Sequence, residues 1–256
     1  MYKTNISFSK PKYEKISVDM HFHTIYSAGA ATIDEVLGKI RKLGLGVSIT
    51  DHNEIKGSIE AFEKKKEDDF LVPGIEVKSA EGIDILFYFY DLDIYKAFYR
   101  SEIEKNKQKL FYTTKTTIPL ITLLSLSEKY PCLVSVAHPY GYRQRSGKQD
   151  IFIEHTKVLE QFTVFEAING GNLRNQNILA VDYITGKKKG YTGGSDGHSI
   201  YTLGNVVTSS TAVTLKEFLD SIKKGKNSVT GVETSFGKLG ELGRFSVHKV
   251  KNFFGK

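Results

Sequence analysis

Five of the seven histidines in this 256-residue chain, His21, His23, His52, His138 and His198, fall at or just beyond the end of an apolar run that reads as a β-strand. Three carboxylates, Asp51, Glu76 and Asp196, occupy equivalent places. His21-Phe22-His23 and Asp196-Gly197-His198 both use i, i+2 spacing, which on an extended backbone sends two side chains to one side and lets them grip an ion together. An isolated His-x-His is commonly an ordinary pair of core or surface residues, but five strand-end histidines interleaved with carboxylates read as a ligand set. The lone cysteine, Cys132, excludes a thiolate-based zinc ribbon. Imidazole plus carboxylate suits Zn, Mn, Fe or Co, and the donors outnumber what one tetrahedral ion uses, so two or three metals are implied.

The elements that must position these residues follow a regular rhythm. Short apolar runs alternate with helix-like stretches from about residue 16 to residue 224, as in repeated βα units. In parallel α/β sheets and barrels the C-terminal ends of the strands converge on one mouth, where residues distant in sequence meet. Strands are expected at 16–23, 47–50, 70–77, 83–90, 132–137 and 162–168, with a glycine-softened strand end at 190–198 and a short strand at 205–208. Thr32 and Glu35 form a capping-box pattern ahead of the apolar face Val36, Leu37, Ile40 and Leu43, and Gly44 closes that helix. Further helices are expected around 58–66, 173–186 and 214–224. Residues 93–130 read as helical, with Pro131 as the stop. Leu239, Leu242, Phe245, Val250 and Phe253, set among lysines, read as a tail helix packed on the body.

Hydrophobic residues make up 40% and charged residues 25% of the chain, so it is neither disordered nor fibrous and is long enough for a large core. The start carries no apolar run of signal-peptide length, and no later run approaches a spanning helix. With one cysteine, a cytoplasmic protein without a membrane partner is expected. The net charge of +7 favours anions, and a nucleic-acid substrate is allowed but not favoured. The runs Lys64 to Lys66 and Lys187 to Lys189 read as solvated faces, and Gly44-Leu45-Gly46 is too short for a dinucleotide fingerprint. Oligomeric state is left open. Arg143 and Arg145 follow His138 on a basic loop expected to overhang the mouth, where a guanidinium grips phosphate bidentately. Glu166 and Asn169 end another strand and are candidates for polar contacts with substrate or ligands.

In order, the segments H-F-H-T, I-T-D-H-N, P-G-I-E-V, A-H-P and G-S-D-G-H resemble the successive motifs of the PHP (polymerase and histidinol phosphatase) superfamily, over roughly residues 18–208. The resemblance implies an α/β fold, a distorted (β/α)7 barrel with the metal site at the C-terminal ends of the strands. It would form a single domain over 1–256, with a motif-bearing core of about 16–210 and a helical segment of about 211–256 packed on it. By that analogy His21, His23, Glu76 and Asp196 hold a first metal, Glu76 bridges to a second shared with His138, and His52 and His198 hold a third. Two departures stand out. Tyr26 to Ala30 supply no Asp or His where the family usually has one, which weakens the third site. Asp84 stands where the family often has a histidine and is a candidate oxygen ligand.

The implied cofactors are two to three divalent transition metal ions (Mn, Zn or Fe). The implied reaction is metal-dependent hydrolysis of a small phosphorylated substrate, a phosphomonoester or nucleotide, by an activated water at a di- or trinuclear centre. Asp51, beside His52, and His198 are the candidate catalytic residues, Asp51 to orient a ligand or accept a proton. Arg143 and Arg145 are the candidate substrate-binding residues. The alternatives are amide hydrolysis on the same barrel and a non-catalytic barrel that binds RNA or protein.

Overall fold

The run Ile16 to Phe22 alternates apolar side chains with Ser17, Asp19 and His21, and the whole of it is buried. It forms the strand on which the site is built. A computed structural model describes residues 4–11, 16–109, 114–141 and 154–233. In chain order these form β1 (Ile6–Ser7), β2 (Ile16–Phe22), α1 (Ile33–Leu43), β3 (Gly46–Ile49), α2 (Lys56–Lys64), β4 (Gly74–Lys78) and β5 (Asp84–Phe89). Next come α3 (Leu92–Phe98), a π-helical turn (Tyr99–Ile103), α4 (Glu104–Asn106), β6 (Lys107–Lys109), β7 (Thr114–Thr116) and α5 (Leu120–Lys129). Then follow β8 (Cys132–Val136), α6 (Thr156–Leu159), β9 (Val164–Asn169), α7 (Arg174–Lys187), β10 (Gly190–Gly194), β11 (Val206–Ser210), α8 (Leu215–Lys223) and β12 (Ser228–Gly231).

Two five-stranded sheets result, in the orders β1-β12-β11-β2-β3 and β10-β9-β8-β5-β4, beside a small β6-β7 ribbon. β2 and β3 are parallel, as are β8, β9 and β10. β5, however, runs antiparallel to both β4 and β8, and β11 runs antiparallel to β2 and β12. The reason for the reversal at β5 is local. Only residues 79–83 separate β4 from β5, whereas a parallel connection needs a crossover of about a dozen residues or more. Among the described residues the ladders do not close into one ring. The sheets meet at two seams through isolated bridges, Phe22 with Gly197 on one side and Val47 with Leu71 and His52 with Glu76 on the other.

Between the sheets lie Val18 and Met20 of β2, Leu86 and Tyr88 of β5, Leu133 and Val164, packed with Phe218, Leu219 and Ile222 of α8. Tyr88 donates its hydroxyl to the Met20 carbonyl across this core at 2.8 Å. A second cluster packs α1 and α2 on β3, and a third covers the outer face of the β8-β9 sheet with α3, α5 and α7. The expected cap at Thr32 is realised. Glu35 N donates to Thr32 Oγ1, Thr32 N donates to Glu35 Oε2, and Gly44 ends α1 at φ +66°.

The expectation of continuous helix over 93–130 is corrected. The segment is broken by the π turn and by the β6-β7 ribbon. Thr114 anchors that ribbon by accepting from Asn53 Nδ2 at its carbonyl (2.9 Å) and donating from Oγ1 to the His52 carbonyl (3.3 Å), contacts that local propensity does not report. The lysine runs lie on the surface as expected, Lys64 pairing with Asp34 and Glu60 and Lys187 with Glu160. Among the described residues no helix is long and apolar enough to cross a membrane. The expected tail helix lies outside the described residues.

Candidate metal centre

Strict alternation along β2 would put His21 on the face of Ser17 and Asp19, away from Met20. A register shift between Asp19 and Phe22, where β2 pairs with β3, breaks the alternation. Bulges re-aim side chains in this way beside active sites. His21 consequently joins the inner side, with its Nε2 3.1 Å from His23 Nε2 and 3.5 Å from Glu76 Oε1. His52 and Asn53 follow β3, His138 follows β8, and Asp196 and His198 follow β10. Asp84 is the first residue of β5, and the antiparallel direction of that strand is what brings its start to the same mouth.

Glu76 sits at the middle, fully buried. Its Oε1 lies 3.1 Å from His138 Nε2, and its Oε2 lies 3.4 Å from His23 Nε2 and 2.6 Å from His52 Nδ1. Asp196 Oδ1 is 3.1 Å from His23 Nε2 and 3.6 Å from His21 Nε2. Four overlapping groups, His21-His23-Glu76, His21-His138-Asp196, His52-Glu76-Asp84 and His23-His52-His198, each hold donor atoms within 4.8 Å of one another. The last group corrects one expectation. The pair His52 and His198 does not stand alone, because His23 stacks on His52 at 4.4 Å and lies tilted against His198 at 4.6 Å between ring centroids. The loop that lacks a family ligand is itself tied down, Ala30 N donating to the His198 carbonyl at 2.9 Å.

Charge is strongly coupled here. Burial alone would push the His21 pKa down, but Asp196, Glu166 and Glu76 reverse this and raise it well above the ordinary histidine value. His52 and His138 are likewise raised against burial, chiefly by Glu76. Burial, with His52 and His198 alongside, drives His23 well below it. Against their own burial, Glu76 and Asp196 are held well below the usual carboxylate range by the surrounding imidazoles. A knot of carboxylates compensated by protonated histidines is what a cation site looks like when protons supply the charge.

The donor set fits divalent metal. His23 Nδ1, His52 Nδ1, Glu76 Oε2 and Asp84 Oδ1 are buried and make no hydrogen bond, and such orphaned atoms are rare unless something else satisfies them.

Around these donors lies a ring of supports, of which the sequence pointed to Glu166 and Asn169. Glu166 Oε1 meets His21 Nδ1 at 3.1 Å, and its Oε2 accepts from His138 N and Asn169 Nδ2, both at 2.8 Å. Asn169 Nδ2 also donates to Asp196 Oδ2, and Asn177 of α7 brackets the Asn169 backbone through its N–H and carbonyl. No sequence signal marked Asn177. Asp51 accepts from Thr24 N, Thr24 Oγ1 and Ser27 Oγ. It is absent from the four donor groups and ties the loop after β2 to the loop after β3. Arg143 and Arg145 lie outside the described residues.

Backbone geometry is unusual at the same place. Asn53, His138 and Asp196 all have positive φ, at 50°, 27° and 46°. Such conformations cost of order 1–3 kcal/mol each and concentrate at functional sites. Gly194 allows β10 to approach β2, since a Cβ there would lie 2.4 Å from both the Cβ and the backbone N of His21. Neither atom is the end of a flexible side chain. Gly194→Ala is therefore expected to destabilise the protein by about 2–3 kcal/mol, as overpacking of a rigid core does. Urea unfolding that matches the parent would count against this seam.

The fold and the donor set together define a PHP-domain protein. The chain belongs to the PHP family: the PHP domain matches residues 19–172, and the PHP-associated region matches residues 174–227. No curated protein matches it significantly. Among solved structures it resembles a protein of Bifidobacterium adolescentis assigned as a metal-dependent phosphoesterase, at 19% identity and a TM-score of 0.58 over 88% of this chain and 99% of that one. It also resembles endonuclease Q in complex with a duplex bearing an abasic lesion, at 16% identity and a TM-score of 0.64 over 85% of this chain and 60% of that one. A third likeness is an amidohydrolase from Chromobacterium violaceum with bound sulfate and no metal, at 15% identity and a TM-score of 0.59 over 80% and 96%. At these identities the likeness is one of fold.

Proposed function

We propose that this PHP-family protein hydrolyses a small phosphate ester, a phosphomonoester or nucleotide, with water as the nucleophile. The observation that supports this reading is the sharing of Glu76 and His23 among overlapping donor groups in one buried mouth. His21, His23, Glu76 and Asp196 would hold one ion, Glu76 and His138 would contact a second, and His52, His198 and His23 would hold another. When bound, such ions supply a strong nucleophile from water at neutral pH and neutralise charge on phosphoryl oxygens.

The chain's own groups do the rest. Glu166 fixes the His21 ring through Nδ1, and Asn169 fixes the Asp196 carboxylate, so the donors are set before substrate arrives. Side-chain exposure rises from 0% at His21, His23 and Glu76 to 14% at His52 and 23% at His198, so substrate would enter on the His52 and His198 side. His198 Nδ1 lies 3.0 Å from the Asp196 carbonyl, which can only accept, so Nδ1 carries the hydrogen and Nε2 is the atom that would take a metal or a proton. Asp51 holds the loop that borders this opening.

Turnover assays of the chelator-free protein test the reading. The panel comprises sugar phosphates, nucleotides, histidinol phosphate, an abasic duplex and simple amides, each with Mn, Zn and Fe supplied separately. Metal-dependent release of phosphate from a small ester is expected. Activity confined to amides or to the duplex would replace the small-ester reading. Arg143 and Arg145 enter as a phosphate clamp contributing similar binding in ground and transition states. Their double alanine variant is expected to raise KM more than it lowers kcat, and unchanged kinetics would return both to ordinary surface charge.

A further inference from the structure

A lysine stands inside the donor cluster. Lys78, the last residue of β4, is directly opposite Asp84, the first residue of β5. Opposed residues in an antiparallel pair share a face, and Lys78 lies two residues from Glu76, so all three side chains point to the mouth. Lys78 Nζ is 2.7 Å from Asp84 Oδ2, with the two side chains 21% and 2% exposed. The backbone of Lys78 is held on both sides, its N–H donating to Asn53 Oδ1 at 3.0 Å and its carbonyl accepting from Thr116 Oγ1 at 2.8 Å. Asp84 Oδ2, the oxygen that Lys78 caps, is also the one nearest His138, at 3.9 Å from Nε2.

We propose that the Lys78 ammonium takes the place of a divalent ion at the His52, Glu76 and Asp84 group, so that Asp84 is not a metal ligand and the loaded centre holds two ions. This rests on reading the mouth as a metal centre. Among the described residues, Glu76 and Asp196 are ion-paired only with histidines, which give up a proton and become ligands when metal arrives. An ammonium group offers no lone pair to a metal, and Lys78 Nζ already occupies Asp84 Oδ2 at 2.7 Å. A doubly charged ion drawing on Asp84 would sit beside that positive charge next to the buried Glu76 and Asp84 carboxylates, where repulsion is less screened than in bulk water. The two ions would then be the one held by His21, His23, Glu76 and Asp196 and the one held by His52, His198 and His23, and the ion that Glu76 would share with His138, beside Asp84, is the one the ammonium displaces. Without the ammonium, both oxygens of a buried Asp84 would face the cluster uncompensated and would recruit a cation.

The test is the number of ions retained per chain after equilibration with Mn(II) or Zn(II) and removal of free metal, read by elemental analysis. Two ions are expected for the wild type, for Asp84→Asn and for Lys78→Arg. Three are expected for Lys78→Met, falling back to two in Lys78→Met combined with Asp84→Asn. Loss of an ion from Asp84→Asn in the otherwise wild-type chain, or three ions in the wild type itself, would overturn the inference. If Lys78→Met does not fold, the near-isosteric Asp84→Asn comparison decides alone. A wild type that retains no ion overturns the metal-centre reading, an outcome distinct from a loaded wild type that loses one ion with Asp84.

Discussion

Glu76→Gln is expected to lower turnover at least about a hundredfold, equivalent to about 2.7 kcal/mol of transition-state stabilisation, while the fold survives. Among the described residues, Glu76 is the one carboxylate within 3.5 Å of His21, His23, His52 and His138 together. Replacing it with an amide of the same volume removes the negative charge that draws cations to the middle of the cluster and leaves an NH2 group facing imidazole lone pairs. The metal content should fall together with activity, and circular dichroism should be unchanged. In the metal-free variant, His21, His52 and His138 should also protonate at lower pH than in the parent, since Glu76 raises all three. Near-normal turnover with full metal content would show that Glu76 is not the shared ligand.

The second large effect lies one step behind the site. Asp19→Ala is expected to cost about 3 kcal/mol or more of stability, because each buried donor left unsatisfied costs about 1–3 kcal/mol. Asp19 is completely buried, and its carboxylate accepts from His21 N at 3.2 Å, Ser195 N at 2.8 Å and Gly204 N at 2.8 Å. It thereby ties the bulged strand β2 to the loop that carries Asp196 and His198. Metal affinity should weaken with stability, since two ligand-bearing segments lose their common anchor.

The same residue sets a pH dependence. Burial outweighs those hydrogen bonds and raises the Asp19 pKa from 3.8 to about 6. Between those values the folded chain holds a proton that the unfolded chain has released. This contribution is therefore fully present below about pH 4 and is lost as pH rises through about 6, amounting to about 3 kcal/mol. Urea titration of metal-free protein at pH 4, 5, 6 and 7 would reveal it as a slope that Asp19→Ala removes. A variant with unchanged midpoint and unchanged slope would dismiss Asp19 as an anchor.

The sequence by itself determined the chemistry of the centre and the order in which its parts arrive. His21 and His23 are two apart on an extended strand and do converge. His52, Glu76, His138, Asp196 and His198 lie on or just after strands, and the Thr32 and Glu35 cap is written in four consecutive residues. These are local or periodic properties, and a strand-end donor needs only its own strand to reach the mouth. Asp84 was legible as an oxygen donor in the right region, although the direction of its strand was not.

What tertiary structure decided is how neighbours meet. The bulge between Asp19 and Phe22 depends on the register with β3, and a one-residue change of register moves a side chain to the opposite face. The β6-β7 ribbon exists because Thr114 finds Asn53 and the His52 carbonyl, against a local sequence that reads as helix. Asn177 reaches Asn169 only once α7 lies against β9. Lys78 becomes a member of the site because β5 turns back on β4 and sets Asp84 opposite it. Residue types and spacing carry no cross-strand partners. Those follow from which edges pair and in which direction, and that is settled by burying the apolar faces of the two sheets against each other and against their helices.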